Sequence, residues 1–397
     1  MKKLFISLCM LLTVCGCASK QEVNNIYTEN IIIDKIAFIS DTHLQLNVQD
    51  DGISYINTLN ADILQCALDE INDSDTDLLV LCGDNTNSGK AEQHEKLIEM
   101  LNNLDKEVLI VPGNHDLGSS GYSSFPEIYK DYGYGKSYSR DADSLSYSVI
   151  YKNLMMLILD TNNYDDKWET GIPVFSSSTL KWIESQLKYS KENDMAVIVA
   201  GHYPILTRQT EEFTQQKTIL DLFDKYDVRL YVAGHLHYHA VNKAGSLTEL
   251  VVEQTTSYPV SYEMLEINED IMNVYSKEVD IEKWAADNEL SDERLLNFRK
   301  YLDIQYRKKC DAVIDSLTKD KDTDENKLIM AKDLFHKVMK YRSDGTLINH
   351  IDEIENHEGY EYFREISEGT IWYRWIPLVL SEANEYTMGF TINHDHP

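Results

Sequence analysis

The stretch Val108-Leu109-Ile110-Val111-Pro112-Gly113-Asn114-His115-Asp116 holds four apolar residues, a strand-breaking Pro-Gly pair, then an amide, an imidazole and a carboxylate in succession. A short unbroken apolar run closed by a turn signal reads as a buried strand. The side chains that follow are ones that divalent cations accept as ligands. The same arrangement recurs in both directions along the chain. Residues 35–40 run into Asp41-Thr42-His43, and residues 78–82 into Gly83-Asp84-Asn85. Residues 195–200 run into Gly201-His202, and residues 228–232 lead to Gly234-His235-Leu236-His237. Five of the twelve histidines, His43, His115, His202, His235 and His237, fall in these segments, which scattered surface histidines would not do.

Between the strands, apolar residues recur at helical spacing. The spacing predicts helices over 60–73, 91–104, 178–192 and 215–225, and further strands over 154–159, 247–253, 262–267 and 271–279. Alternating strands and helices imply an α/β domain. In such sheets ligands collect at the carboxyl ends of the strands, where all five segments lie. After about residue 280 glycine becomes rare and amphipathic runs over 292–317 and 325–341 take over, separated by a charged break at 319–324. An aromatic cluster follows (Tyr360, Tyr362, Phe363, Trp372, Tyr373, Trp375) and is assigned to packing. The organisation expected is an α/β catalytic domain over 34–280 and a helical C-terminal domain over 281–397.

With 397 residues and 43% hydrophobic content, the chain can bury a large core and resembles neither a disordered nor a multi-span membrane protein. A formal net charge of −30 repels phosphate backbones, which disfavours a nucleic-acid polymer as partner. Any anionic substrate must then be drawn in locally, by bound cations. At the N-terminus, Lys2 and Lys3 precede an apolar stretch over 4–14 that ends in Val14-Cys15-Gly16-Cys17. That resembles a bacterial lipoprotein signal over 1–17, with Cys17 as the lipidated residue and 18–33 as a polar tether. It implies a protein anchored to the bacterial cell membrane on its extracytoplasmic side. Cys66, Cys82 and Cys310 are too few and too scattered for a disulfide framework, and read as packed residues.

Taken singly, Asp-x-His and Gly-Asp are weak signals, and a lone Asp84 would read as a helix cap. Gly-Asn-His-Asp is more specific, and Gly-His-x-His moderately so. The ordered set of five, each after a strand, resembles the calcineurin-like metallophosphoesterase superfamily over roughly residues 34–280. That resemblance implies an α/β/β/α four-layer sandwich and two divalent metal ions (Mn, Fe, Zn or Co). By matching positions, Asp41, His43 and His237 would hold the first ion, Asn114, His202 and His235 the second, and Asp84 would bridge them. His115 would contact the substrate phosphate and the leaving group as proton donor, and Asp116 would orient it. Two such ions lower the pKa of a shared solvent oxygen and neutralise phosphoryl charge, which suits hydrolysis by a metal-bridging hydroxide.

Other polar residues are given structural readings: Asn85 as a turn cap, Asp160-Thr161 as turn chemistry, and His239 as a solvated or supporting side chain. His94, His336, His350, His357, His394 and His396 read as surface residues. The tyrosines between Tyr122 and Tyr138 suit either a substrate mouth or a packed loop. Within the superfamily, Asn87 stands where the purple acid phosphatases carry a tyrosine, three residues after the bridging aspartate, and the lipoprotein signal disfavours the double-strand-break nucleases. The set resembles class III cyclic-nucleotide phosphodiesterases, and among them bacterial lipoproteins with a helical C-terminal domain. The function implied is hydrolysis of small phosphodiesters, cyclic nucleotides being one class. The alternatives are a phosphomonoesterase or nucleotidase, an enzyme of lipid head groups, and more remotely a non-catalytic ligand-binding lipoprotein.

Overall fold

In the computed structural model, residues 27–48, 58–118, 124–162, 172–206, 215–268, 271–319, 321–384, 387 and 389–393 are described. Every apolar run that leads to a candidate ligand is a strand. In chain order these are β1 (Lys35–Ile39), β2 (Leu78–Leu81), β3 (Glu107–Ile110), β4 (Ser139–Arg140), β5 (Tyr147–Ile150), β6 (Leu154–Ile158) and β7 (Ala196–Ala200). They continue as β8 (Leu230–Ala233), β9 (Ala240–Ala244), β10 (Leu247–Val251), β11 (Ser261–Asn268), β12 (Ile271–Glu278) and β13 (Phe390–Asn393). One sheet has the order β13-β12-β11-β1-β2-β3 and the other β4-β5-β6-β7-β8-β10-β9. Neighbours β1, β2 and β3 are parallel, as are β6, β7, β8 and β10, so the ends that carry the ligands share one rim.

Side-chain alternation makes the layers. In β6, Leu154, Met156 and Ile158 face a core shared with β1, β2 and β3. Met155 and Leu157 face away, into a second core with Ile183 and Leu187 of helix Ser177–Glu192 and Ile219 and Phe223 of helix Gln216–Lys225. Helices Asn60–Asp73 and Ala91–Leu101 add Ile63, Leu64, Ala67, Leu68, Leu97 and Met100 to the first core. The result is the α/β/β/α sandwich with a helical C-terminal region.

That region has its own core, in which Phe335 of helix Glu325–Ser343 contacts Phe363, Trp372 and Trp375 at ring separations of 5.3–5.8 Å. It is tied closely to the sheets. Ile281, Ala285, Leu295, Phe298 and Leu302 belong to the main core, and β13 returns to pair with β12. Beside the His-x-His turn, the Arg342 guanidinium lies 3.6 Å over the Tyr238 ring. Cys66, Cys82 and Cys310 are buried and unbridged. Among the described residues, no helix is long and apolar enough to cross a membrane. Cys17, the segment around it, His394 and His396 lie outside the described residues.

Candidate metal centre

The rim is stitched together by backbone hydrogen bonds between the turns. Asp41 N donates to Gly83 O (3.0 Å), His43 N to Asp84 O (2.8 Å) and Gly234 N to His202 O (3.0 Å). Five of the predicted ligands occupy the left-handed backbone region: Asp41 (φ 50°), His43 (42°), Asp84 (50°), His235 (70°) and His237 (57°). For residues with a Cβ this costs about 1–3 kcal/mol each, and such strain persists where the surrounding structure imposes a required side-chain direction. Glycines let the turns approach. A Cβ on Gly113 would stand 2.0 Å from Asp84 N, and one on Gly234 would stand 1.9 Å from Ser40 Oγ.

The side chains meet in two groups that share Asp84. Asp41, His43, Asp84 and His237 form one, and Asp84, His202 and His235 the other, each with its ligand atoms within 4.8 Å of one another. Asp84 Oδ2 lies 3.2 Å from His202 Nε2, 3.8 Å from His43 Nε2 and 4.0 Å from His115 Nε2. Asp41 Oδ1 lies 3.3 Å from His237 Nε2. His43 Nε2 and His237 Nε2 face each other at 3.0 Å, which sets two lone pairs together unless a proton or cation lies between them.

The remaining atoms are held from behind. Asp41 Oδ2 accepts from Ser40 Oγ (2.6 Å) and His235 N (2.9 Å), while Asp84 Oδ1 accepts from His115 N (2.8 Å). His202 Nδ1 donates to Cys82 O (2.9 Å), which turns Nε2 toward the cluster. Among the described residues, Asp41 Oδ1, Asn114 Oδ1 and His202 Nε2 are buried atoms without a hydrogen-bond partner. Native structures rarely leave such groups unsatisfied, and N/O donors converging in this way fit divalent cations.

Electrostatics follow from burial and these neighbours. Burial lowers His43 and His235 to about 4 and so keeps them neutral, the state in which imidazole ligates. Burial also opposes charge on His202, but the Asp84 carboxylate outweighs it and the pKa is pushed up to about 9. Burial opposes ionisation of Asp84 as well, and the His202 imidazole beside it still holds its carboxyl well below the usual range. Asp41 and Asp84 are fully buried, whereas the His115 and His237 side chains are 35% and 42% exposed. The cluster therefore opens to solvent on the side of His115 and His237.

Several sequence expectations need correction. Asp116 does not face the His115 ring. Its carboxylate accepts from Gly113 N, Asn85 N, Asn85 Nδ2, Thr86 N and Thr86 Oγ1, so it braces the two turns against each other. The His115 ring is set by the Asn87 carbonyl, 2.7 Å from Nδ1, which leaves Nε2 toward the site. Asn85 is not a turn cap but a buried strut, with Nδ2 also donating to Val111 O. His94 is buried rather than at the surface, with Nδ1 against Tyr129 Oη (2.6 Å) and Nε2 against the Asp116 carbonyl (3.1 Å). His336 is buried too, and His239 is enclosed between Glu253 and Glu263. Asp160 does make turn contacts, to Asn162, while Thr161 Oγ1 receives His202 N and Tyr203 N. Tyr129, Tyr132 and Tyr134 are packed inside and do not form a mouth.

The chain is similar to known proteins over both of its regions. Residues 34–239 match the calcineurin-like phosphoesterase family model, and residues 280–385 match the C-terminal domain of cyclic nucleotide phosphodiesterase. A 3',5'-cyclic-nucleotide phosphodiesterase of Nostoc sp. is 26% identical over 245 residues, spanning 58% of this chain and 84% of that protein. The glycerophosphodiester phosphodiesterase GpdQ of Enterobacter lignolyticus is 26% identical over 174 residues, spanning 43% of this chain and 57% of that protein. A dimetal phosphatase from Danio rerio superposes with a TM-score of 0.49 at 16% identity, covering 62% of this chain and 96% of that one. The first family model spans just over half of the chain and includes all seven predicted ligands, and the chain belongs to the calcineurin-like phosphoesterase family.

Proposed function

We propose that this phosphoesterase is a binuclear metal-dependent phosphodiesterase acting on small diesters, cyclic nucleotides among them. The observation that carries the reading is the pair of donor groups sharing Asp84; Asn114 Oδ1, in the turn after β3, is a further buried atom without a hydrogen-bond partner among the described residues. Asp41, His43 and His237 would hold one divalent ion, Asn114, His202 and His235 the other, and Asp84 both. When bound, such ions neutralise phosphoryl oxygens and bring the pKa of a water toward neutrality.

The chain's own groups do the rest. His115 presents Nε2 on the open side of the cluster, and the Asn87 carbonyl accepts from Nδ1–H in either protonation state. The imidazolium can therefore deliver a proton from Nε2 to the departing alkoxide. Asp116 and Asn85 keep the turns of Asp84 and His115 in register, so the proton donor stays aligned with the phosphorus. With a net charge of −30, the rest of the surface offers an anion little attraction. The diester reading draws on the two phosphodiesterases named above and on the match over residues 280–385.

A metal-reconstituted panel of mono-, di- and cyclic phosphoesters tests the reading. Turnover of diesters above monoesters is expected. Dominant monoester turnover would move the assignment to a phosphomonoesterase or nucleotidase, and tight binding of an unreacted ligand to metal-free protein would favour a binding lipoprotein. We further propose lipid anchoring through Cys17, outside the cytoplasm, on the strength of the N-terminal sequence. Radiolabelled palmitate should enter the expressed protein and be lost from Cys17→Ala; equal labelling of both would reject it.

A further inference from the structure

Behind the His-x-His turn lies a second cluster that the proposed reaction does not use. His239 directly precedes β9, Glu253 stands just past β10, and Glu263 lies within β11 of the opposite sheet. The three residues are 6%, 1% and 0% exposed. His239 Nδ1 is 2.9 Å from Glu263 Oε1 and 3.5 Å from Glu253 Oε2, and one ligand atom from each residue lies within 4.8 Å of the others.

The hydrogen bonding is one-sided. Ser261 Oγ donates to Glu253 Oε1 and Ser276 Oγ to Glu263 Oε1. Glu253 Oε2, Glu263 Oε2 and both ring nitrogens of His239 are buried without a hydrogen-bond partner among the described residues. The imidazole is thus close to the carboxylates without being aligned to donate to them. Two carboxylates against one imidazolium would leave a net negative charge in the interior, which is costly, and protonating one of them would still leave Glu253 Oε2 and Glu263 Oε2 without partners among the described residues. A divalent cation with a neutral imidazole balances both carboxylates and occupies the unpaired atoms together.

We propose that His239, Glu253 and Glu263 hold a further divalent cation that accepts mixed imidazole and carboxylate ligands, such as zinc or manganese, distinct from the pair proposed at Asp84. Enclosed by protein, it pins the two sheets together immediately behind His235 and His237, which makes it a structural ion. A cavity of about 410 Å³ between β9 and the helical region, lined by Tyr238, Arg342 and Trp375 among others, borders the cluster at His239. The inference does not depend on the phosphodiesterase reading.

Crystals of the zinc-loaded full chain, recorded at the zinc absorption edge, test it directly. An anomalous peak within about 2.0–2.2 Å of ligand atoms of His239, Glu253 and Glu263 is expected. Metal analysis after gel filtration should show one ion per chain fewer in Glu253→Gln/Glu263→Gln than in the unaltered protein. A map without density at this cluster overturns the proposal, whether or not the variant folds, and so does an unchanged metal content in a folded variant. A peak here with none at Asp84 would uphold this site while rejecting the binuclear one.

Discussion

Asp84 joins the two donor groups: one of its oxygens faces three imidazoles and the other fixes the His115 backbone. Asp84→Ala should lower kcat/KM by at least about 10³-fold and reduce the metal content, measured together on one preparation. His115→Ala should behave differently, keeping its ions and losing about 10²–10⁴-fold in kcat on alkyl diesters. A p-nitrophenyl leaving group needs no proton, so its turnover should fall far less. An equal loss on both substrates would remove His115 from the role of acid. Gly113→Ala sets a methyl against Asp84 N and should cost about 1–3 kcal/mol in thermal or urea unfolding, with weaker metal retention. At this scale the clustered donor side chains were legible because each follows an apolar run and a turn. The braces were not. Asn85, His94 and the true contacts of Asp116 depend on which polar groups the fold buries together, and no local pattern encodes that.

The elements that carry the site were the most readable, since β1, β2, β3, β7 and β8 are buried on both faces and read as continuous apolar runs. β4, β9 and β13 went unrecognised for the opposite reason: they are short edge strands with polar residues, as in Ala240-Val241-Asn242-Lys243-Ala244. β5, Tyr147-Ser148-Val149-Ile150, was missed because Ser148 interrupts its apolar run. β10 carries a further test in Glu249, whose carboxylate accepts from Ile205 N, Leu206 N and Asn242 Nδ2 and so anchors the segment after His202. Burial pushes its carboxyl up to about 7, although these three donors oppose the shift. A carboxyl with its folded pKa above the unfolded value stabilises the fold when protonated. That contribution is fully present below pH 4.5 and is lost as pH rises through about 7. Chemical unfolding of metal-loaded protein should therefore show Glu249→Gln gaining on the unaltered chain by ~3 kcal/mol between pH 4.5 and 8. A pH-independent difference would show that Glu249 is not neutral in the folded protein.

For the whole molecule, the change of composition near residue 280 correctly announced a helical region but hid how firmly it joins the sheets. Ile281, Ala285, Leu295, Phe298, Leu302, Phe390 and Ile392 fill the main core, and β13 covers the edge of β12. Ending the chain after Asp280 should therefore yield protein that aggregates or unfolds without cooperativity, as light scattering and circular dichroism would report. A soluble, cooperatively folding fragment would show the helical region to be dispensable. The proposed function rests on two ions held by the rim turns around Asp84. Steady-state hydrolysis of bis(p-nitrophenyl) phosphate by the metal-loaded chain, beside Asp84→Ala, tests it most directly. Metal-dependent turnover that disappears in the variant is expected. Metal-loaded, folded protein that is inert on this diester, or turnover that survives in Asp84→Ala, would contradict it.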